Sequence, residues 1–113
     1  MRVIILLLVA LTAWPMSGHT QERRDHERAR AALEAGLIRP LSELLAEVER
    51  RYRGRVIEAE LDRDDGQWLY EFKILPTNGR VFTIELDAAT GQFLRSHGPV
   101  QERVPGETRT PPR

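Results

Sequence analysis

The sequence predicts an α+β fold: one or two N-terminal helices packed on one face of a three- to four-stranded antiparallel β-meander. Three observations predict it. Between Ala29 and Tyr52 apolar residues recur at three- and four-residue spacing, as the inner stripe of a helix requires. After Gly54 the period changes to two, and apolar residues alternate with polar ones along three successive runs. Those runs are separated by Asp65-Gly66 and Asn78-Gly79, pairs preferred in tight hairpins because both central residues need positive φ, and the last run is closed by Asp87-Ala88-Ala89-Thr90-Gly91.

The elements follow in order. Met1-Arg2, an apolar run from Val3 to Ala13 and the Trp14-Pro15 break have the layout of a secretory signal peptide, expected over residues 1–20. The apolar run is far shorter than the roughly 18 to 20 residues that cross a bilayer as a helix, so no stable membrane span is expected after cleavage. An uncleaved N-terminal anchor is the alternative. Residues 21–30 form a charged lead-in. The folded unit is expected over 31–97. In its first helix Ala29, Ala32, Leu33, Gly36 and Leu37 share a face, with Gly36 just past the helix end. A second helix starts near Pro40, because proline fits a first helical turn. Its stripe is Leu41, Leu44, Leu45, Val48 and Tyr52, and Gly54 ends it.

Three strands follow. Ile57, Ala59 and Leu61 point one way along the first. Trp68, Tyr70, Phe72 and Ile74 place the aromatic bulk of the second on one side, and Trp68 is read as a core residue. Phe82, Ile84 and Leu86 alternate with Thr83, Glu85 and Asp87, and Phe93-Leu94 begin a short final strand. Residues 98–113 hold four prolines and little aliphatic surface, so they read as a disordered tail.

Composition excludes several classes. The chain has 113 residues, 17 basic and 17 acidic side chains and no cysteine. One domain is expected, without disulfides, thiolate metal sites or a cysteine nucleophile. Removing residues 1–20 takes away only Arg2, so the remainder is near neutral and no nucleic-acid partner is implied.

The residues also carry a family resemblance. The run from Ala31 to Leu41, the Gly54-Arg55-Val56-Ile57 segment, Asp65-Gly66-Gln67-Trp68-Leu69-Tyr70-Glu71-Phe72, and Ile84-Glu85-Leu86-Asp87-Ala88-Ala89-Thr90-Gly91-Gln92-Phe93-Leu94 resemble a PepSY domain. The closing Asp-Ala-x-Thr-Gly hairpin is the most specific part. The resemblance implies an exported α+β module, periplasmic or secreted, that binds a protein partner in the envelope or a peptidase. It implies no catalytic residues and no cofactor. The 113 residues hold one module and no protease, so action on a peptidase in cis is not expected.

Each candidate for chemistry has a structural role that competes with it. Asp62, Asp64 and Asp65 before Gly66 suggest a calcium loop, but with Glu60 first and Glu71 twelfth the sixth position is Asp65 instead of glycine, and a solvated hairpin turn is the better account. Asp87, Thr90 and Gly91 are expected to form a structural turn, with the Asp87 carboxylate accepting backbone N–H groups. His19, His26 and His97 have no paired spacing, and Ser17, Ser42 and Ser96 lie in no nucleophile elbow. Neither catalytic nor metal residues are expected. Arg50, Arg51, Arg53 and Arg55 offset the dipole at a helix C-terminus, and a second reading gives them an acidic partner. The function expected is a non-catalytic binding or regulatory module. The alternatives are a peptidase inhibitor acting in trans, and a cation or small-ligand sensor built on Asp62, Asp64, Asp65 and Asp87.

Overall fold

The computed structural model describes residues 17–106. Helices α1 (Ser17–Glu34) and α2 (Leu41–Arg51) precede strands β1 (Arg55–Asp64), β2 (Gln67–Leu75), β3 (Phe82–Asp87) and β4 (Phe93–His97). The strands form one antiparallel sheet in the order β1-β2-β3-β4, so the α+β meander is the architecture observed. Of the expected leader, residues 1–16 lie outside the described residues, as does the tail beyond Gly106.

The charged stretch from Gln21 to Arg30 is helical throughout as part of α1. Its Gln, Glu, Arg and Ala are good helix formers, and Arg23 and Arg30 each precede a glutamate by four residues. The helix ends at Gly36 (φ +73°), where Leu37 N–H bonds Ala32 C=O at 2.9 Å and Gly36 N–H bonds Leu33 C=O at 3.1 Å. This paired closure is the Schellman motif. It turns the chain so that Ala32 and Ile38 enter the core, while Leu33 and Leu37, expected on the inner stripe, are 45% and 62% exposed.

In α2 the stripe is Leu44, Val48 and Tyr52, all buried, with Leu45 partly buried and Leu41 at the rim. Pro40 lies one residue outside the helix, at its N-cap. Gly54 turns the chain out of the helix region at φ +120°, and a Cβ there would lie 2.8 Å from both Ile74 Cγ2 and Leu75 O. Only glycine allows β2 to pass this close.

Two strand readings are corrected. In β1 the register shifts between Val56 and Glu58, a β-bulge that leaves Ile57 unpaired and 45% exposed. Val56, Ala59 and Leu61 therefore face the core, and Ile57 does not. Trp68, at the start of β2, packs against the core but is only half-buried, with the Arg63 guanidinium 5.3 Å from its ring centroid. The fully buried aromatics are Phe72 and Phe82.

The turns differ as well. Asp65 (φ +47°) and Gly66 (φ +79°) both adopt the left-handed conformation of a two-residue hairpin. The expected tight Asn78-Gly79 hairpin is instead a loop from Pro76 to Val81 in which only Gly79 has positive φ. Pro76 cannot donate to the ladder, which ends β2 before the turn residues are reached. Gly79 N–H bonds Pro76 C=O at 3.0 Å, and Arg80 N–H bonds Asn78 Oδ1 at 2.9 Å.

The tail expected to be disordered from Gly98 onward is placed as far as Gly106. Arg53 N–H bonds Gln101 C=O at 2.9 Å, Arg103 N–H bonds Arg51 C=O at 2.8 Å, and Tyr52 and Glu102 form an isolated antiparallel bridge. Arg103 Nε also donates to Glu49 C=O at 3.0 Å. Backbone pairing supplies what the tail's few aliphatic side chains cannot.

Candidate functional site

The Asp87–Gly91 turn is positioned by β3 and closes onto the start of α2. Asp87 Oδ1 accepts Ala89 N–H at 2.8 Å and Thr90 N–H at 3.0 Å, and its Oδ2 accepts the Gln67 amide at 2.7 Å. Burial pushes the Asp87 carboxyl up, but the donors from Gln67, Thr90 and Ala89 outweigh it and hold the carboxyl below its ordinary range. Thr90 Oγ1 accepts Gln92 N–H at 3.2 Å. Gly91, at φ +78°, donates to Asp87 C=O at 2.8 Å. The Asp87 carboxylate and the Thr90 hydroxyl are thus engaged in closing the turn and tying it to the start of β2.

The turn is also clamped from outside by a residue that periodicity gives no reason to single out. Arg39 N–H donates to Ala88 C=O at 2.7 Å, and its Nη1 donates to Thr90 C=O at 3.3 Å. The same guanidinium pairs with Glu47 at 2.6 Å and Glu43 at 3.1 Å, both on α2. These carboxylates, Glu47 foremost, raise the Arg39 pKa above its ordinary value. Arg39 C=O accepts the Tyr70 hydroxyl at 2.8 Å. One residue between the helices thus joins α2, the closing turn and β2. The sequence signal was present only as Arg39-Pro40 preceding Glu43 and Glu47 at i+4 and i+8.

The four arginines do not converge on a single partner. Arg50 and Arg51 lie in the last turn of α2, Arg53 in the connector and Arg55 at the first position of β1. Arg51 is 3.5 Å from Glu102 and 5.5 Å from the Tyr52 ring centroid, so the tail engages part of this cluster.

The outer sheet face is a lattice of charge. Register sets Glu60, Glu71, Glu85 and Arg95 in one row across the four strands, and Glu58, Lys73, Thr83 and His97 in the next. Lys73 pairs with Glu58 at 3.1 Å, which lowers the Glu58 pKa and raises that of Lys73. Glu60 is raised above its ordinary range, first by a hydrogen bond with Glu58 and then by the charges of Glu58, Asp62 and Glu71. Glu85 is buried on this face beneath Arg95, which bonds it directly and also reaches Asp64 at 3.4 Å. Leu69, on the same face, is only 3% exposed. The outer face is therefore wet along β1 and dry at its middle.

Asp62, Asp64, Asp65 and Asp87 are not gathered into one site. Among the described residues no three His, Asp or Glu side chains are placed to hold a metal ion. No helix among them is long and apolar enough to cross a membrane. The family model for PepSY, the peptidase propeptide and YPEB domain, matches residues 40–97, which is just over half of the chain and spans α2 to the end of β4. No curated protein and no solved structure matches it.

Proposed function

Because the chain belongs to the PepSY family, we propose that it is a non-catalytic binding module, exported to the periplasm or secreted, that regulates another envelope or secreted protein. The observation that carries this reading is the sheet order: among the described residues β1 and β4 each pair on one side only, leaving two strand edges of a small sheet to which a partner could add. The committed polar groups support it too. Asp87 and Thr90 are used in closing the turn, and Arg39 and Tyr70 in holding it to α2 and β2. In this reading the chain forms no cofactor site and turns over no substrate.

A peptidase is the partner class that the family description favours, with inhibition in trans as the outcome. The arginine cluster of Arg50, Arg51, Arg53 and Arg55 is the second surface on which an acidic partner could be held. Titrating the purified full chain into secreted metallopeptidases, with residual activity and co-elution both recorded, tests the reading. A stoichiometric complex is expected, with or without loss of activity. Absence of any complex across the panel at micromolar concentrations would overturn the peptidase assignment.

A further inference from the structure

Of the two sheet edges without a partner strand among the described residues, that of β1 is acidic on its outer face. We propose that the edge of β1 from Glu58 to Asp64 accepts an extended peptide as a fifth strand, one whose side chains alternate basic and apolar. This rests on the binding-module reading and specifies which surface binds and what it takes.

The backbone geometry comes first. A two-residue Asp65-Gly66 hairpin makes Asp64 and Gln67 the closing hydrogen-bonded pair. In an antiparallel ladder bonded and non-bonded pairs alternate, which turns the N–H and C=O groups of Ala59, Leu61 and Arg63 toward the free edge. These groups are the template for an added strand. The bulge at Ile57 ends the regular ladder on the other side.

Charge then selects the occupant. On the outer face β1 presents Glu58, Glu60, Asp62 and Asp64, all exposed. Lys73 and Arg95 offset Glu58 and Asp64, but Glu60 and Asp62 face Glu71 and Leu69 across the ladder, not a cation. The raised Glu60 pKa reflects the same excess of negative charge. On the inner face the neighbours are Ala59 and Leu61, both half-buried against the core, followed by the exposed Arg63 beside Trp68. A strand with Lys or Arg at alternate positions and aliphatic residues between them satisfies both faces.

The surroundings leave space for it. A groove of about 800 Å³ separates α1 from the β1–β2 hairpin, with Asp25, His26, Arg28 and Ala29 on the helix side and Leu61, Asp62, Arg63 and Trp68 on the other. A second copy of this chain is the wrong occupant. Pairing two β1 strands with their faces matched sets acidic residues of the Glu58-Glu60-Asp62 series against one another in every antiparallel register, and like charges directly opposite destabilise a sheet.

The test uses the isotope-labelled full chain and two synthetic peptides as long as Glu58–Asp64, one alternating Lys with Val and one alternating Glu with Val. The Lys peptide is expected to shift the amide resonances of Ala59, Leu61 and Arg63, to slow their hydrogen exchange, and to bind about tenfold or more tightly than the Glu peptide. The preference should shrink as salt rises. Ala59→Pro removes one outward N–H and is expected to abolish binding. Should that variant fail to fold, the exposed double variant Glu60→Lys with Asp62→Lys carries the test by reversing the preference toward the Glu peptide. Shifts confined to Phe93–His97 would overturn the edge assignment and leave the binding-module reading standing. No shift with either peptide, or equal affinity for both, would also overturn the proposal, whereas failure of the broader reading shows only in the peptidase titration.

Discussion

Replacing Asp87 by alanine removes the acceptor on which the closing turn is built. Three donors lose their partner: the backbone N–H groups of Ala89 and Thr90 and the side-chain amide of Gln67. Hydrogen bonds to a charged group are worth about 1.5 to 3 kcal/mol each when buried. Ala89, Thr90 and Gln67 are exposed, so water replaces part of each bond. The closest analogue is loss of an aspartate helix cap, about 0.5 to 2 kcal/mol. With the third donor included, Asp87→Ala should cost about 2 to 3 kcal/mol, a fall of roughly 10 to 20 °C in melting midpoint for a domain of this size. Circular dichroism against temperature and urea, on wild type, Asp87→Ala and Asp87→Asn, reads this directly. The asparagine keeps an acceptor and loses the charge, so its loss should be about half as large. The folded-state pKa of Asp87 lies below its unfolded value. Its contribution is therefore full above the unfolded value and is lost as pH falls through the folded one. The gap between wild type and Asp87→Asn should accordingly close in acid. A gap that stays constant from neutrality to about pH 2, or an Asp87→Ala loss under about 0.5 kcal/mol, would refute the reasoning.

Other substitutions test neighbouring parts of the same account. Gly91→Ala forces a side chain into φ +78° and puts its Cβ 2.7 Å from Arg39 Nη1 and 3.0 Å from Leu44 Cδ2; a loss of about 2 kcal/mol or more in urea denaturation is expected. Phe72→Ala, at a fully buried site, should cost about 3 to 5 kcal/mol and abolish cooperative melting, while Trp68→Ala at its half-buried position should keep a cooperative transition. Deleting residues 99–113 removes the Gln101 carbonyl that accepts Arg53 N–H. Hydrogen exchange at the Arg53 amide should then accelerate while that of Phe72 holds.

Much of this fold can be read from the sequence because its elements announce themselves locally. The 3.6-residue stripe of Leu44, Val48 and Tyr52 and the alternation of Tyr70, Phe72 and Ile74 each lie within one element, and burial follows the pattern. What periodicity misses depends on distant neighbours. Ile57 belongs to an apolar alternation, yet the bulge that turns it outward is decided by pairing with β2. Arg39 looks like an ordinary surface arginine until the closing turn, about fifty residues later, docks against it. The tail has the composition of a disordered segment, and only its backbone, by pairing with Arg51 and Arg53, says otherwise. A meander leaves its first strand at an edge, so the place of β1 was legible, but which of its backbone groups face outward was not, because that depends on its register and bulge against β2.

The fastenings of α2 also bear on when the fold can form during synthesis. Its N-terminal side is held through Arg39 to Ala88 and Thr90, and its C-terminal side through Glu49, Arg51 and Arg53 to residues 101–103. The side-chain bonds among these span 51 to 54 residues. Such long loops must close before their contacts contribute anything. A growing chain that has emerged only as far as β3 can pack Leu44, Val48 and Tyr52 on Phe72 and Phe82, but the bonds to Ala88, Thr90 and residues 101–103 that fasten the two ends of α2 form only after those residues follow.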